Sequence, residues 1–253
     1  MKKTIILLLA TLWMPRVFGE TIDVEAVWER GNRLYAAGDY NGAILTYDSI
    51  VNEGLQSADL YYNLAGAYFK AGQNGQAILN YNRALRLDPS NDDVAHNLAY
   101  VESFTKDNID TIPVDFMERS GNWLRRLMSA DGWGVWSLVM LGVALVAGGF
   151  FILAQRRRVR KTGFFVALVS LVAFIFCLVL GGAARRELLS EREAIVLDTA
   201  TSVKASPEQN SKDLFILHEG TKVEVLDEFG EWSEIRIADG NEGWISSSSI
   251  EII

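Results

Sequence analysis

Zinc sites and thiol catalysis draw on clusters of histidine and cysteine, and this chain of 253 residues offers only His96, His218 and Cys177. The histidines fall in different segments and Cys177 lies inside an apolar run, so no catalytic set, metal centre or cofactor site is expected. A carboxylate-only glycosidase is the one enzymatic chemistry that composition leaves open, with 32 acidic residues available. The stronger signal is a row of flat rings and amides. Trp28, Tyr62 and His96 recur every 34 residues, Asn63 and Asn97 follow the last two, and Asn32 stands close by in the first copy. Rings and amides along a groove suit an extended peptide; the same periodic row also serves as packing between neighbouring helices.

The period identifies the elements that must carry this row. Ala43 recurs as Ala77, Tyr47 as Tyr81, Gly38 as Gly72, and Leu64-Ala65 as Leu98-Ala99, all 34 apart, which is the spacing of a helix-turn-helix repeat. Tyr61, Leu64, Ala65 and Tyr68 form one stripe of a first helix, and Ala77, Tyr81 and Ala84 one stripe of a second. Small residues at 65 and 77 let the axes approach, while Gly72 and Pro89 end the two helices. These eight positions, from Tyr61 to Pro89, resemble the tetratricopeptide (TPR) signature. Two full repeats over 24–57 and 58–91 and a further helix over about 92–104 make an all-α domain spanning 20–105, with the last helix expected to act as its cap. Glu25, Asp59 and Asp93 recur in the first turn of each leading helix, where they suit the helix dipole. In the TPR groove that clamps a C-terminal carboxylate, cations flank the asparagines. Here those places hold Trp28, Asp93 and Asn97, which argues against such a clamp.

Residues 1–19 read as an export signal, with Lys2 and Lys3 ahead of a short apolar core. Residues 106–131 form a linker followed by an amphipathic stretch in which Phe116, Trp123, Leu124, Leu127 and Met128 alternate with Arg119, Arg125 and Arg126. It is either a membrane-surface helix or a plain connector. Residues 132–155 and 162–184 are uncharged and long enough to span a bilayer. The loop between them, 156–161, holds five cations in six residues, so the positive-inside rule predicts a two-pass hairpin with this loop in the cytoplasm. Both flanking segments then lie outside the inner membrane, in the periplasm, where an export signal would also deliver the first. Residues 20–131 carry 17 acids against 9 bases and residues 185–253 carry 15 against 7, so each is net −8 and neither suits nucleic acid or anionic lipid.

Past Arg192 the pattern becomes short and alternating. The segments 214–217, 221–226, 231–237 and 243–246 read as strands separated by turns at Glu219-Gly220, Glu228 to Gly230 and Asp239-Gly240. Val203, Gly220, Val223, Val225, Trp232, Ile235 and Gly243-Trp244-Ile245 resemble a bacterial SH3 domain, which implies an all-β SH3-like small barrel within 185–253. Phe229, Trp232 and Trp244 are candidates for its ligand groove, for a peptide or a wall glycan, with the two tryptophans expected to be partly core.

The whole arrangement is thus a multidomain membrane protein: TPR domain, two-helix transmembrane hairpin, SH3-like barrel. Together with the residues Ser129 to Trp133 ahead of the first span, it resembles the E-type family of the Bacteroides aerotolerance (Bat) operon. That resemblance implies von Willebrand A-domain Bat proteins and a MoxR-type ATPase as partners, and a role in envelope or oxidative-stress tolerance. The function expected is a non-enzymatic adaptor tethering two binding modules. The rivals are a cell-wall-directed hydrolase or peptidoglycan-binding protein targeted by its SH3 domain and, more weakly, a transporter, because neither span carries a charge.

Overall fold

The computed structural model describes residues 23–107, 109, 115–189 and 192–253. The export signal read at 1–19, and most of the linker at 108–114, lie outside the described residues.

Five helices form the N-terminal stack: α1 Val24–Ala36, α2 Tyr40–Asn52, α3 Ala58–Lys70, α4 Asn74–Leu87 and α5 Asp92–Glu102. Four start on a side-chain cap, in which Asp23, Asp39, Ser57 and Asn91 accept from backbone N–H groups three residues on. The helix α4 has no such bond of its own. Gly38 and Gly72 close the leading helices in the left-handed region, at φ 80° and 81°, where a side chain would be strained. The small-residue positions do what their spacing predicts: Ala43, Ala65 and Ala77 are fully buried and Tyr47, Tyr61 and Tyr81 pack around them.

Two further helices, α7 Ala130–Leu153 and α8 Arg157–Leu189, run side by side as an antiparallel hairpin, preceded by a short α6, Phe116–Arg125, that touches α8. Both α7 and α8 are long and apolar enough to cross a membrane, and Leu138, Ile152, Val169 and Val179 are among the apolar side chains they leave exposed. The pair is held closest at glycines. A Cβ on Gly163 would meet the Ala147 carbonyl oxygen and the Phe151 nitrogen at 2.9 Å, and one on Gly181 would meet Trp133 Cβ at 3.1 Å. The bend differs from its predicted form. The cations at 157–161 are helical, forming the first turn of α8, and only Ala154 to Arg156 connect the helices, because no residue there breaks the helix.

The C-terminal unit is one antiparallel seven-stranded sheet of order β3-β2-β6-β5-β4-β1-β7. Its strands are β1 Glu193–Val196, β2 Ala200–Lys204, β3 Asp213–His218, β4 Lys222–Phe229, β5 Trp232–Arg236, β6 Glu242–Ser246 and β7 Ile250–Ile252. Alternate residues, among them Val203, Val223, Val225, Ile235 and Ile245, form its core. The turns at Gly220, Gly230 and Gly240 all have positive φ, as the turn residues required.

This barrel is docked on the helical stack. Ile195 and Ile253 join Val94, Leu98 and Val101 of α5 and Ile78 of α4 in one buried cluster. The last helix, α5, packs on α4 at the end of the array, and its apolar stripe shares this buried cluster with the barrel, whose β1 contacts α4. Polar contacts ring the seam. Glu219 Oε1 accepts from the backbone N–H of Gly75 at 2.6 Å, supplying the N-terminal cap that α4 lacks. Arg83 donates to Glu251 at 2.9 Å and to the Ile252 carbonyl at 2.7 Å. Arg86 Nε donates to the carbonyl of Leu188, at the end of α8, at 2.9 Å. Asp107 accepts from the His218 backbone N–H at 2.7 Å and from Thr221 Oγ1 at 2.6 Å, and lies 2.6 Å from His218 Nδ1. The stack, the hairpin end remote from its bend and the barrel thus meet at one place.

Candidate functional site

The leading helices α1, α3 and α5 present the ring-and-amide row, and the structure divides it. Asn32 Oδ1 accepts from Tyr47 Oη at 2.7 Å and from Asn63 Nδ2 at 3.3 Å, which ties α1, α2 and α3 together. One repeat further on, Asn97 Nδ2 donates to Tyr62 Oη at 2.9 Å. Tyr62, Asn63 and Asn97 line a cavity of about 380 Å³. Trp28 does not reach it; its ring packs against Tyr47 at 5.6 Å. His96 is exposed, away from the cavity lining. Asn63 and Asn97 are part of the groove, Asn32 supports Asn63 without lining the cavity, and the first aromatic of the row is packing.

Seven further residues shape the cavity: Tyr35, Gly66, Phe69, Lys70, Tyr81, Tyr100 and Val101. The period of 34 could have found several of them, since Asn32, Gly66 and Tyr100 are one repeat position and Tyr35 and Phe69 another. Burial raises the Tyr35 phenol above its ordinary value, helped by the nearby Tyr40 and Tyr62, and burial also raises Tyr81. Tyr47, behind them, is pushed up to about 12, again by burial first. These rings stay protonated donors across the neutral range. The rim is aromatic: Phe69, Tyr100 and Phe104 meet at ring distances of 5.2–5.9 Å, and Tyr100 and Phe104 are more than half exposed.

On the barrel, alternation settles the tryptophans. Ser233, Ile235, Gly243 and Ile245 point inward, so Trp232 and Trp244 stand half-buried on the outer face and not in the core. Phe229 lies directly across the β4–β5 hairpin from Trp232, and Trp244 faces Glu234 on one side and Lys204 on the other. Phe229 is 66% exposed, which leaves an aromatic strip open on a sheet whose opposite end is docked.

Comparison with known proteins identifies both folded units. Residues 199–251 match the bacterial SH3 domain family, and residues 66–102 match the TPR repeat. Sperm-associated antigen 1 of Mus musculus is 32% identical over 89 residues, a stretch that is 35% of this chain and 10% of that protein. The chain joins a helical TPR region, two apolar helices and an all-β SH3-like barrel, a set of modules suited to binding protein or cell-wall ligands.

Proposed function

We propose that this protein is a non-enzymatic adaptor anchored by its α7–α8 hairpin in a bacterial inner membrane, with the TPR groove and the SH3-like barrel both in the periplasm. The observation that carries the reading is the docking of the barrel on α4 and α5 while the groove of α1, α3 and α5 stays open. One face of the stack is used internally and the other is free for a partner. The antiparallel hairpin supports the shared compartment, since it brings the end of α8 back to Arg86 of the stack. The cations at 156–161, at the opposite end, support the cytoplasmic bend. Through the Bat-type resemblance, the partners proposed are von Willebrand A-domain membrane proteins and a MoxR-type ATPase, in a complex serving oxygen or stress tolerance.

The test is a photo-crosslinking residue placed at Asn63 or His96 in cells carrying the full chain. The reading expects adducts with Bat-type membrane proteins from Asn63 and few from His96. Adducts confined to cytosolic proteins, or a reporter after Ile253 active only in the cytosol, would overturn it. A wall-binding or wall-cleaving protein is the second reading, favoured by the open strip of Phe229, Trp232 and Trp244. Zymography on wall material tests cleavage and cosedimentation with wall material tests binding, because an adaptor for proteins neither leaves a cleared band nor pellets with the wall.

A further inference from the structure

We infer that the groove selects an internal acidic side chain followed by a bulky apolar one in the partner polypeptide. This rests on the adaptor reading and specifies the chemistry of its ligand. Gly66 forms the floor of the cavity: a Cβ there would lie 3.4 Å from Tyr35 Oη and 3.8 Å from Tyr81 Oη, so two phenols converge over one open spot. Neither hydroxyl has a hydrogen-bond partner among the described residues, and burial keeps both protonated. Tyr62 Oη already accepts from Asn97, which leaves its own proton to donate. One turn along α3, Lys70 adds an exposed ammonium that makes no ion pair among the described residues.

The cavity is therefore rich in donors and holds a single cation. No carboxylate lines it, although the chain has 32 acids and 24 bases. An acceptor-only anion completes such a set. A carboxylate takes several N–H and O–H donors at once with its two oxygens and balances one ammonium. A phosphate, at nearly two negative charges, is matched by arginine clusters, and no arginine lines the cavity. The neighbouring position is apolar. Phe69 and Tyr100 continue from the cavity to Phe104 as an exposed edge-to-face shelf, where a large side chain next to the carboxylate would be covered. The places that hold cations in a chain-end clamp are Trp28, Asp93 and Asn97 here, and Lys70 is the single cation of the lining, so the carboxylate is assigned to a side chain within the peptide.

The test uses the full chain in detergent micelles and fluorescent peptides blocked at both ends, each with a central Glu-Phe, Gln-Phe or Glu-Ala pair between glycines, read by fluorescence anisotropy. The Glu-Phe peptide is expected to bind at least tenfold tighter than either control. Lys70→Gln, at an exposed site, should abolish the discrimination between Glu and Gln, and Tyr81→Phe, which removes one donor and keeps the ring, should weaken Glu-Phe alone. Equal binding of Glu-Phe and Gln-Phe, or no binding of any peptide while Asn63 crosslinks a protein in cells, overturns the inference and leaves the adaptor reading standing. If Asn63 also crosslinks nothing, the adaptor reading falls with it. Preference for an otherwise identical peptide with a free C-terminal carboxylate would assign the cavity to chain ends and overturn the internal side chain.

Discussion

Asp107 sits past the last turn of α5 and reads in the sequence as one more polar linker residue, yet it takes hydrogen bonds from Thr221 and from both the backbone and ring of His218. Nothing local marks it, because its partners are more than a hundred residues away. Burial alone would raise its carboxyl, but those bonds hold it below the ordinary range. A folded value below the unfolded one, about 3.9, means that its contribution is complete above that unfolded value and is lost as pH falls through the folded one. Thermal melts from pH 7 to pH 3 should show the barrel loosening below about pH 4, and Asp107→Asn should flatten that acid limb. Asp107→Ala at neutral pH leaves buried donors unsatisfied and should cost about 1–3 kcal/mol, measurable by chemical denaturation. The groove asparagines, in contrast, were legible because each repeats at a fixed distance. Trp28 shared that distance and turned out to pack on Tyr47, since periodicity reports a helix face and not what covers it.

Among the elements, α4 is distinctive in receiving its N-terminal cap from elsewhere in the chain. Glu219→Ala removes the bond to Gly75 and should destabilise the docked unit by about 1 kcal/mol, whereas the same change at a surface glutamate such as Glu228 should be silent in the same melt. Gly75→Ala tests the contact from the other side, because the new Cβ would fall 2.6 Å from Glu219 Cγ. Faster hydrogen exchange in the first turn of α4 is the outcome expected of both. In the hairpin, Gly163→Val sets a branched side chain against the Ala147 and Phe151 backbone and should force the helices apart near the bend, lowering disulfide formation between cysteines introduced across α7 and α8 there. Helices and most strands were legible from apolar spacing and turn glycines. The strands β1, β2 and β7 were not, being defined by the neighbours they pair with.

For the molecule as a whole, the sequence described two modules on separate tethers and the structure describes one body. No pattern within 24–104 or 192–253 announces the contact, since Val94, Leu98 and Val101 look the same whether a helix or a barrel covers them. Ile195→Asp places a charge where burial is complete and should undock the barrel. The expected readout is new protease cleavage at 105–115 and lost protection in α5, with the barrel core still folded. The same seating has a consequence for how the protein is made. Translation delivers α5 first, and about ninety residues, including both apolar helices, must follow before Ile195 emerges. At roughly 5–20 residues per second, the newborn stack waits for several seconds with its apolar flank bare. During that interval a chaperone that shields sticky surfaces, or another nascent copy donating its own barrel, would compete for the vacancy.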